Sequence, residues 1–283
     1  MVMPLYNAER YVEEAIRSVL NQSYANLELI IVDDKSKDLS LDVARRFDSD
    51  SRVRILTNTE NRGIAYTRNK GIKHSNGEVI AFLDADDIYH PDKLELQIQQ
   101  MSTEGHLKDE VVYTDYFKLN DEGRILRYSN PEREVLKGNM VGALLKEAGF
   151  IGAYASMICL RESALEVGLF DEALKTVSDL DFALKLAKTR PFIGILKPLY
   201  GYRIQRNSIT HTTSVPERYR VRLKVMEKHL RLNPEVSKGD YGPEIRRQIA
   251  KCLIITRSYK SALVYTLNDP RIFEDFYYWF KRR

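Results

Sequence analysis

Three features of this chain predict an α/β fold with a parallel sheet flanked by helices. Apolar, β-branched runs alternate with helical stretches, the first helix has a clean 3.6-residue period, and two of the apolar runs end abruptly in carboxylates. The first strand is Val2 to Tyr6. The following helix places Val12, Ala15, Ile16, Val19 and Leu20 on one stripe, with Glu13, Glu14 and Arg17 turned outward. A second strand, Leu27 to Val32, runs into Asp33-Asp34-Lys35-Ser36-Lys37-Asp38. A helix over Leu41 to Phe47 leads to a third strand, Arg52 to Thr57. A helix beginning near Gly63 carries Ile64, Thr67, Arg68 and Gly71 on its inner face, and the fourth strand then runs Val79-Ile80-Ala81-Phe82-Leu83 into Asp84-Ala85-Asp86-Asp87. This order calls for parallel pairing with right-handed crossovers.

The acidic strand end at Asp84–Asp87 is the most informative stretch. Carboxylates this close raise one another's pKa and need a cation or strong donors to stay ionised. The plain alternative is that Asp86 and Asp87 cap a helix opening at Pro91-Asp92-Lys93-Leu94. A second acidic strand end, at Asp33-Asp34, favours a site, because ligands of open α/β sheets bind at the carboxyl ends of the strands. Arg68 reads either as a snorkelling surface residue or as a partner for these carboxylates and a phosphate. No Gly-x-Gly-x-x-Gly follows the first strand and no Gly-x-x-x-x-Gly-Lys-Ser/Thr occurs, so neither a dinucleotide fingerprint nor a P-loop is supported.

Further along, Val111 to Leu119, Asn120-Asp121-Glu122-Gly123 and Arg124-Ile125-Leu126 read as a hairpin with a glycine turn. Ile151 to Ser156 reads as a mobile loop and a strand that carries an aromatic side chain, Tyr154. Leu180, Ala183, Leu184 and Ala187 form an apolar stripe that puts Asp179 in a first helical turn, where the backbone dipole favours an anion. The competing reading makes Ser178 or Asp179 an N-cap.

Taken together, these residues resemble the family 2 glycosyltransferases of GT-A fold over about residues 1–212, which implies an α/β fold whose sheet is mixed and mainly parallel, flanked by helices. Pro4-Leu5-Tyr6-Asn7 resembles the family's Pro-Thr-Tyr-Asn, while Leu20-Asn21-Gln22-Ser23-Tyr24 and Ile31-Val32-Asp33-Asp34 match its next landmarks. Asn61-Arg62-Gly63 with Ala65, Arg68-Asn69 and Gly71 resembles its Asn-x-Gly…Ala-Arg-Asn-x-Gly, and Leu83-Asp84-Ala85-Asp86-Asp87 its Asp-x-Asp. Val167-Gly168-Leu169-Phe170-Asp171-Glu172, Ser178-Asp179-Leu180-Asp181 and Gly201-Tyr202-Arg203 with Ser208-Ile209-Thr210 resemble its remaining segments.

The resemblance implies a nucleotide site from Pro4, Tyr6, Asn7, Asp34, Arg68 and Asp84, with Asp34 on the uracil and Asp84 on the ribose. It implies that Asp86 ligates Mn²⁺ or Mg²⁺ at the diphosphate and that Asp179 is the general base of an inverting transfer from a UDP-sugar to a hydroxyl. Tyr154, Ser178 and Asp181 are the candidates for acceptor contacts. The expected acceptor is a growing cell-surface glycan or a lipid-linked glycan, extended by one sugar per encounter. The Gln-x-x-Arg-Trp of processive relatives is missing.

Several positions depart from the family pattern. Ser178 stands where a glutamate is usual, Gln205 or Arg206 where many relatives carry a histidine (His211 lies nearby), and Lys35 where a small residue is common. Met1 falls inside the first strand, so either the native start lies upstream or this strand is short. Ser178 also motivates a second function class, a noncatalytic nucleotide-sugar-binding module. A sugar-nucleotide pyrophosphorylase shares the layout but needs a glycine-rich N-terminal signature that this chain lacks.

The 283 residues suffice for one large domain, expected over residues 1–212, plus a helical extension over 213–283. The net charge of +4 hides an asymmetry. From Pro216 to Arg283 there are 16 Lys+Arg against 8 Asp+Glu, and in the remainder 28 against 32. The basic extension reads as helices around Glu217–Leu232 and Pro243–Thr256, followed by Phe273, Phe276 and the run Tyr277-Tyr278-Trp279-Phe280 beside Lys281-Arg282-Arg283. Such an end fits the headgroup layer of an anionic membrane, and equally a packing surface on the main domain or on a second subunit of a homodimer. Aromatics interleaved through an RNA-binding motif are missing, which excludes a nucleic-acid partner. Cys159 and Cys252 make no disulfide framework, and the five histidines show no metal-ligand spacing. With no signal-peptide pattern and no apolar run of about 20 residues, the expected location is cytoplasmic or peripheral on the cytoplasmic face of a membrane.

Overall fold

The computed structural model describes residues 1–129, 140–146, 156–205, 214–237 and 242–258. They gather into two compact units, Met1–Asn139 with Phe150–Arg206, and Met140–Gly149 with Asn207–Arg283.

The first unit opens with β1 (Val2–Leu5), α1 (Val12–Leu20), β2 (Leu29–Asp33), α2 (Ser40–Arg45), β3 (Val53–Thr57), α3 (Ile64–His74) and β4 (Val79–Ala81). Strands β1, β2 and β3 pair in parallel, as alternation with helices requires. All five residues of β2 are buried, which explains its unbroken apolar run: both of its faces are covered. A parallel bridge from Val2 to Phe82 sets β1 beside the end of β4. Next come β5 (Ile88–Tyr89), α4 (Lys93–Met101), the small hairpin β6 (Ser102–Thr103) and β7 (His106–Leu107), β8 (Val111–Leu119) and β9 (Ile125–Tyr128). The second sheet runs β4-β10-β8-β11-β5, with β9 also on β8, using β10 (Ile158–Leu160) and β11 (Phe192–Arg203). Strands β8 and β11 are parallel, whereas β10 runs antiparallel to both β4 and β8, so the sheet is mixed. Helices α6 (Arg161–Glu166) and α7 (Ser178–Ala187) fall between β10 and β11.

The core is built from the stripe anticipated on α1, whose Val12, Ala15, Ile16 and Val19 are fully buried. They meet Met3, Leu5, Leu29 and Ile31 of the parallel strands and Tyr89, Ile158 and Tyr200 of the mixed sheet. The second strand begins two residues later than expected. Glu28 leaves the ladder to accept the N–H groups of Asn76 and Gly77 at 2.5 and 2.9 Å, closing the turn before β4. Lys93 opens α4 fully buried. Its amine donates to Gln97 Oε1 and to the Ser156 carbonyl at 2.5 and 2.8 Å and lies 4.0 Å from the Tyr89 ring; burial pushes its pKa well down.

In the second unit, α5 (Val141–Lys146), α8 (Val215–Leu232) and α9 (Gly242–Ile255) pack together, with a 3₁₀ turn over Pro234–Ser237. Ser214 caps α8 by accepting the Glu217 N–H, and Pro216 sits in the first turn, the expected start signal. Val225, Met226 and His229 of α8 and Ile245, Ile249 and Cys252 of α9 are buried. Among the described residues no helix is long and apolar enough to cross a membrane. Tyr154, His211 and the aromatic end from Phe273 lie outside the described residues.

Gly71 lets α3 lie directly on β1. A Cβ added there would stand 2.4 Å from Val2 Cγ1. Gly71→Ala is therefore expected to destabilise the protein by ~1–3 kcal/mol through overpacking. Gly77→Ala, whose Cβ would meet nothing nearer than 3.5 Å, serves as the control. Urea unfolding checks this, and equal midpoints for the two variants would contradict it.

Candidate active site

Asp34 follows β2 directly and is 3% exposed. Its carboxylate accepts Asn58 Nδ2 and the main-chain N–H groups of Arg62 and Gly63, each at 2.8 Å. Gly63, with φ of +86°, turns the chain into α3, so a buried anion sits at that helix's N-terminus. The three bonds leave the second oxygen, Oδ2, with one acceptor position beyond Gly63. The family resemblance singled out Asp34 for the nucleotide; its work in holding the Asn61-Arg62-Gly63 turn went unforeseen. The loop after β1 is laced to the loop after β2. Asn7 Oδ1 accepts the Lys37 N–H at 2.8 Å, and Ser40 Oγ accepts the Ala8 N–H at 2.6 Å. Pro4 in β1 is half-buried, and in the loop that follows Tyr6 is 42% exposed and Asn7 has φ of 49°.

Arg68 lies on the inner face of α3 with its side chain 9% exposed, which settles it as a partner for the carboxylates and not a snorkelling residue. It donates to Asp84 Oδ1 at 2.7 Å, and its Cζ lies 5.3 Å from the centre of the Phe170 ring. Its Nε is buried without a hydrogen-bond partner. The adjacent Asn69 fixes Phe170 by bonding both its carbonyl and its N–H at 2.9 Å, and Phe170 stacks on Phe182 of α7 at 4.2 Å. Arg68 and Asn69 thus join the acidic end of β4 to α7.

On α7, Asp179 is in the first turn, as anticipated, but it is not the N-cap. That position belongs to Val177, a β-branched residue at φ 65°, and no side chain caps the helix. Asp179 Oδ1 accepts the Leu180 N–H at 2.8 Å. Burial raises its pKa, opposed by the charge of Arg68. Of the acceptor candidates, Asp181 is fully buried and paired with Lys185 at 3.1 Å, and Ser178 is 2% exposed.

The acidic turn does not cap α4, whose N-cap is Asp92. Asp87, 2% exposed, instead accepts the Arg203 N–H at 2.7 Å and the Tyr200 hydroxyl, which ties the turn to β11. Burial and the charges of Asp86 and Asp84 push its pKa well up. Asp86 accepts Gln205 Nε2 on Oδ2 at 2.5 Å; burial first, and then the charge of Asp84, raise its pKa to about 7. Among the described residues no group of three or more His, Cys, Asp or Glu side chains is placed to hold a metal ion. Arg203, Tyr200, Asn58 and Glu14 carry much of this network. The sequence marked Arg203 only as part of a motif and Glu14 only as an outward-facing helix residue.

The family description "Glycosyl transferase family 2" matches residues 1–165. The chain is 39% identical over 150 residues to Escherichia coli WfgD, named a UDP-Glc:alpha-D-GlcNAc-diphosphoundecaprenol beta-1,3-glucosyltransferase, a match covering 51% of this chain and 57% of WfgD. It is 32% identical over 191 residues to the Rickettsia conorii glycosyltransferase RC0461, covering 68% of this chain and 31% of that protein. The chain thus spans about a third to just under three fifths of the length of these relatives. Residues 1–349 of Staphylococcus aureus TarS, solved with UDP-GlcNAc, superpose with a TM-score of 0.67 at 19% identity, over 91% of this chain and 72% of that one. With the mixed sheet, the two acidic strand ends and the Arg68–Asp84 pair in place, the chain belongs to glycosyl transferase family 2 and has the GT-A fold.

Proposed function

We propose that this protein is an inverting, metal-dependent hexosyltransferase that moves one sugar from a UDP-sugar to a hydroxyl of a glycan or lipid-linked glycan. The observation that carries this reading is Arg68, a buried cation paired with Asp84, acting on Asp179, and holding an unpartnered Nε donor suited to an anionic oxygen. It is supported by WfgD, whose name specifies UDP-Glc and a diphosphoundecaprenol acceptor, and by the UDP-GlcNAc complex of TarS.

In this reading Asp34 meets the uracil through its remaining lone pair, with Pro4, Tyr6 and Asn7 around the nucleotide, Asp84 on the ribose and Arg68 on the phosphates. Asp179 takes the proton from the acceptor hydroxyl as that oxygen attacks the anomeric carbon and UDP leaves from the opposite face, which inverts the configuration. The hard carboxylate oxygens of Asp86 fit Mn²⁺ or Mg²⁺ of the kind held by one or two carboxylates plus substrate phosphates, so this one protein ligand would hold the ion together with the diphosphate. When bound, such an ion stabilises the charge that develops on the departing diphosphate. The basic aromatic end of the chain serves as a contact with an anionic membrane surface, where lipid-linked acceptors reside.

A panel of UDP-sugars with Mn²⁺ and with EDTA, scored for UDP release, tests the whole reading. No release above background with any donor would leave a noncatalytic nucleotide-sugar-binding module. Asp179→Asn is expected to keep UDP affinity and lower turnover by ~10²–10⁴-fold. Because burial raises the pKa of Asp179, wild-type turnover falls with acidification at higher pH than an ordinary aspartate would impose, and the variant loses this limb. Near-normal turnover in Asp179→Asn would rule it out as the base.

Asp86→Asn is expected to remove the Mn²⁺-dependent part of UDP binding. In the wild type, cation affinity should weaken as pH drops below about 7, because Asp86 then takes up a proton that competes with the ion. Calorimetry across that range checks both, and a pH-independent affinity would contradict the assignment. Deleting Phe273–Arg283 should abolish sedimentation with anionic vesicles while sparing UDP-sugar hydrolysis. Wild-type protein that never sediments with such vesicles would refute the membrane contact.

A further inference from the structure

Arg203 ends β11 at 2% exposure, with every arm of its guanidinium committed to the protein. Nε donates to the Asp86 carbonyl at 2.7 Å, one terminal nitrogen to the Asn120 carbonyl at 3.1 Å, and the other to Glu14 Oε2 at 2.6 Å. The Tyr11 ring lies 5.0 Å from its Cζ, and its main-chain N–H is the donor at 2.7 Å to Asp87. With its guanidinium nitrogens all bonded within the protein and its side chain shut off from solvent, this residue acts on the site through its neighbours.

We infer that Arg203 is a positioning residue for Asp86, and that Glu14 on α1 acts on the same turn through it; this rests on the reading of Asp86 as a cation ligand. Asp84, Asp86 and Asp87 share one tight turn, closed by the Asp87 N–H on the Asp84 carbonyl at 3.0 Å. Their mutual repulsion pushes the turn open unless it is gripped from behind. Arg203 grips it at two successive residues, by the carbonyl of Asp86 and the carboxylate of Asp87, and leaves Asp86 Oδ1 free of either bond. The planar fork is what permits this. Lysine, with three donors on one atom, does not span the carbonyls of Asp86 and Asn120 and the Glu14 carboxylate at once. Glu14 supplies the charge that balances the guanidinium and fixes its rotation. Its own side chain is 51% exposed, so α1 tolerates substitution there.

Arg203→Lys and Glu14→Gln separate positioning from plain structural support. Uridine, UDP, and UDP with Mn²⁺ are titrated calorimetrically into each full-length protein, with thermal unfolding measured alongside. Both variants are expected to bind uridine as the wild type does and to lose part of the gain that Mn²⁺ gives UDP. The loss should be ~10–100-fold for Arg203→Lys, the scale seen when a partner behind a metal ligand is removed, and smaller for Glu14→Gln. If Arg203→Lys does not fold, Glu14→Gln decides alone. Variants that keep the full Mn²⁺ gain, or that lose uridine and Mn²⁺-UDP affinity equally, overturn the inference. A wild type whose UDP affinity ignores Mn²⁺ overturns the reading of Asp86, and this inference with it.

Discussion

The constraint on which the rest of this structure depends is the cost of keeping carboxylates out of water at the ends of strands. Asp34, Asp84, Asp86, Asp87 and Asp179 all stand at or near the carboxyl edge of the sheets, and each needs donors that the fold must bring from elsewhere. Asp34 is met by the N-terminus of α3, Asp84 by Arg68 from the same helix, Asp86 by Gln205, and Asp87 by Tyr200 and the Arg203 N–H. Helix α3 and the end of β11 are thereby fixed relative to the acidic turn. The packing that serves them follows: Gly71 against Val2, Asn69 against Phe170, and Phe170 against Phe182.

The donors are not distributed evenly, and the unevenness separates structural from reactive carboxylates. Asp34 and Asp87 have two or more well-placed donors and almost no exposure, so their oxygens are largely consumed by the protein. Asp86 has one side-chain donor and Asp179 has a neighbouring main-chain N–H and the field of Arg68. Both retain acceptor capacity, which is what separates them from Asp87, whose pKa is raised as theirs are, and which leaves them able to take a proton or a cation. Arg68 fits the same division. It neutralises Asp84, yet its buried Nε lacks an acceptor, a deficit that a phosphate oxygen removes.

How far the sequence foretells this arrangement depends on the range of the interaction. Periodicity reveals α1, the parallel strands, α3 and the two helices α8 and α9, because each buries one face and the pattern is local. The acidic ends of β2 and β4 are equally visible, since three carboxylates after an apolar run have few structural uses. What stays hidden is pairing across long separations. Glu14 has the period of a solvent-facing helix residue and still meets Arg203, 189 positions away. Asp87 resembles a helix cap in sequence, but its partners Tyr200 and Arg203 lie more than 100 residues downstream. Asp181 sits one helical turn before Lys185, packs inward and pairs with it, a contact that its place in the resembled Ser178–Asp181 motif does not reveal.

The raised pKa values also bear on stability, and here the sign matters. A carboxyl whose folded-state pKa lies above its unfolded value contributes stability below the unfolded pKa and loses it as pH rises through the folded one. Asp86, Asp87 and Asp179 are all of this kind, so near neutral pH the acidic turn works against the fold that holds it. Val177, left-handed at the entrance to α7, adds backbone strain of the sort that only a well-packed surround sustains. The compensation comes from the apolar core beneath α1 and from the Phe82–Phe170–Phe182 cluster under Arg68. A site built this way is organised before its ligand arrives. A ligand that supplied positive charge to Asp86 and an anionic oxygen to Arg68 would relieve both deficits together and couple its own binding to the stability of the turn.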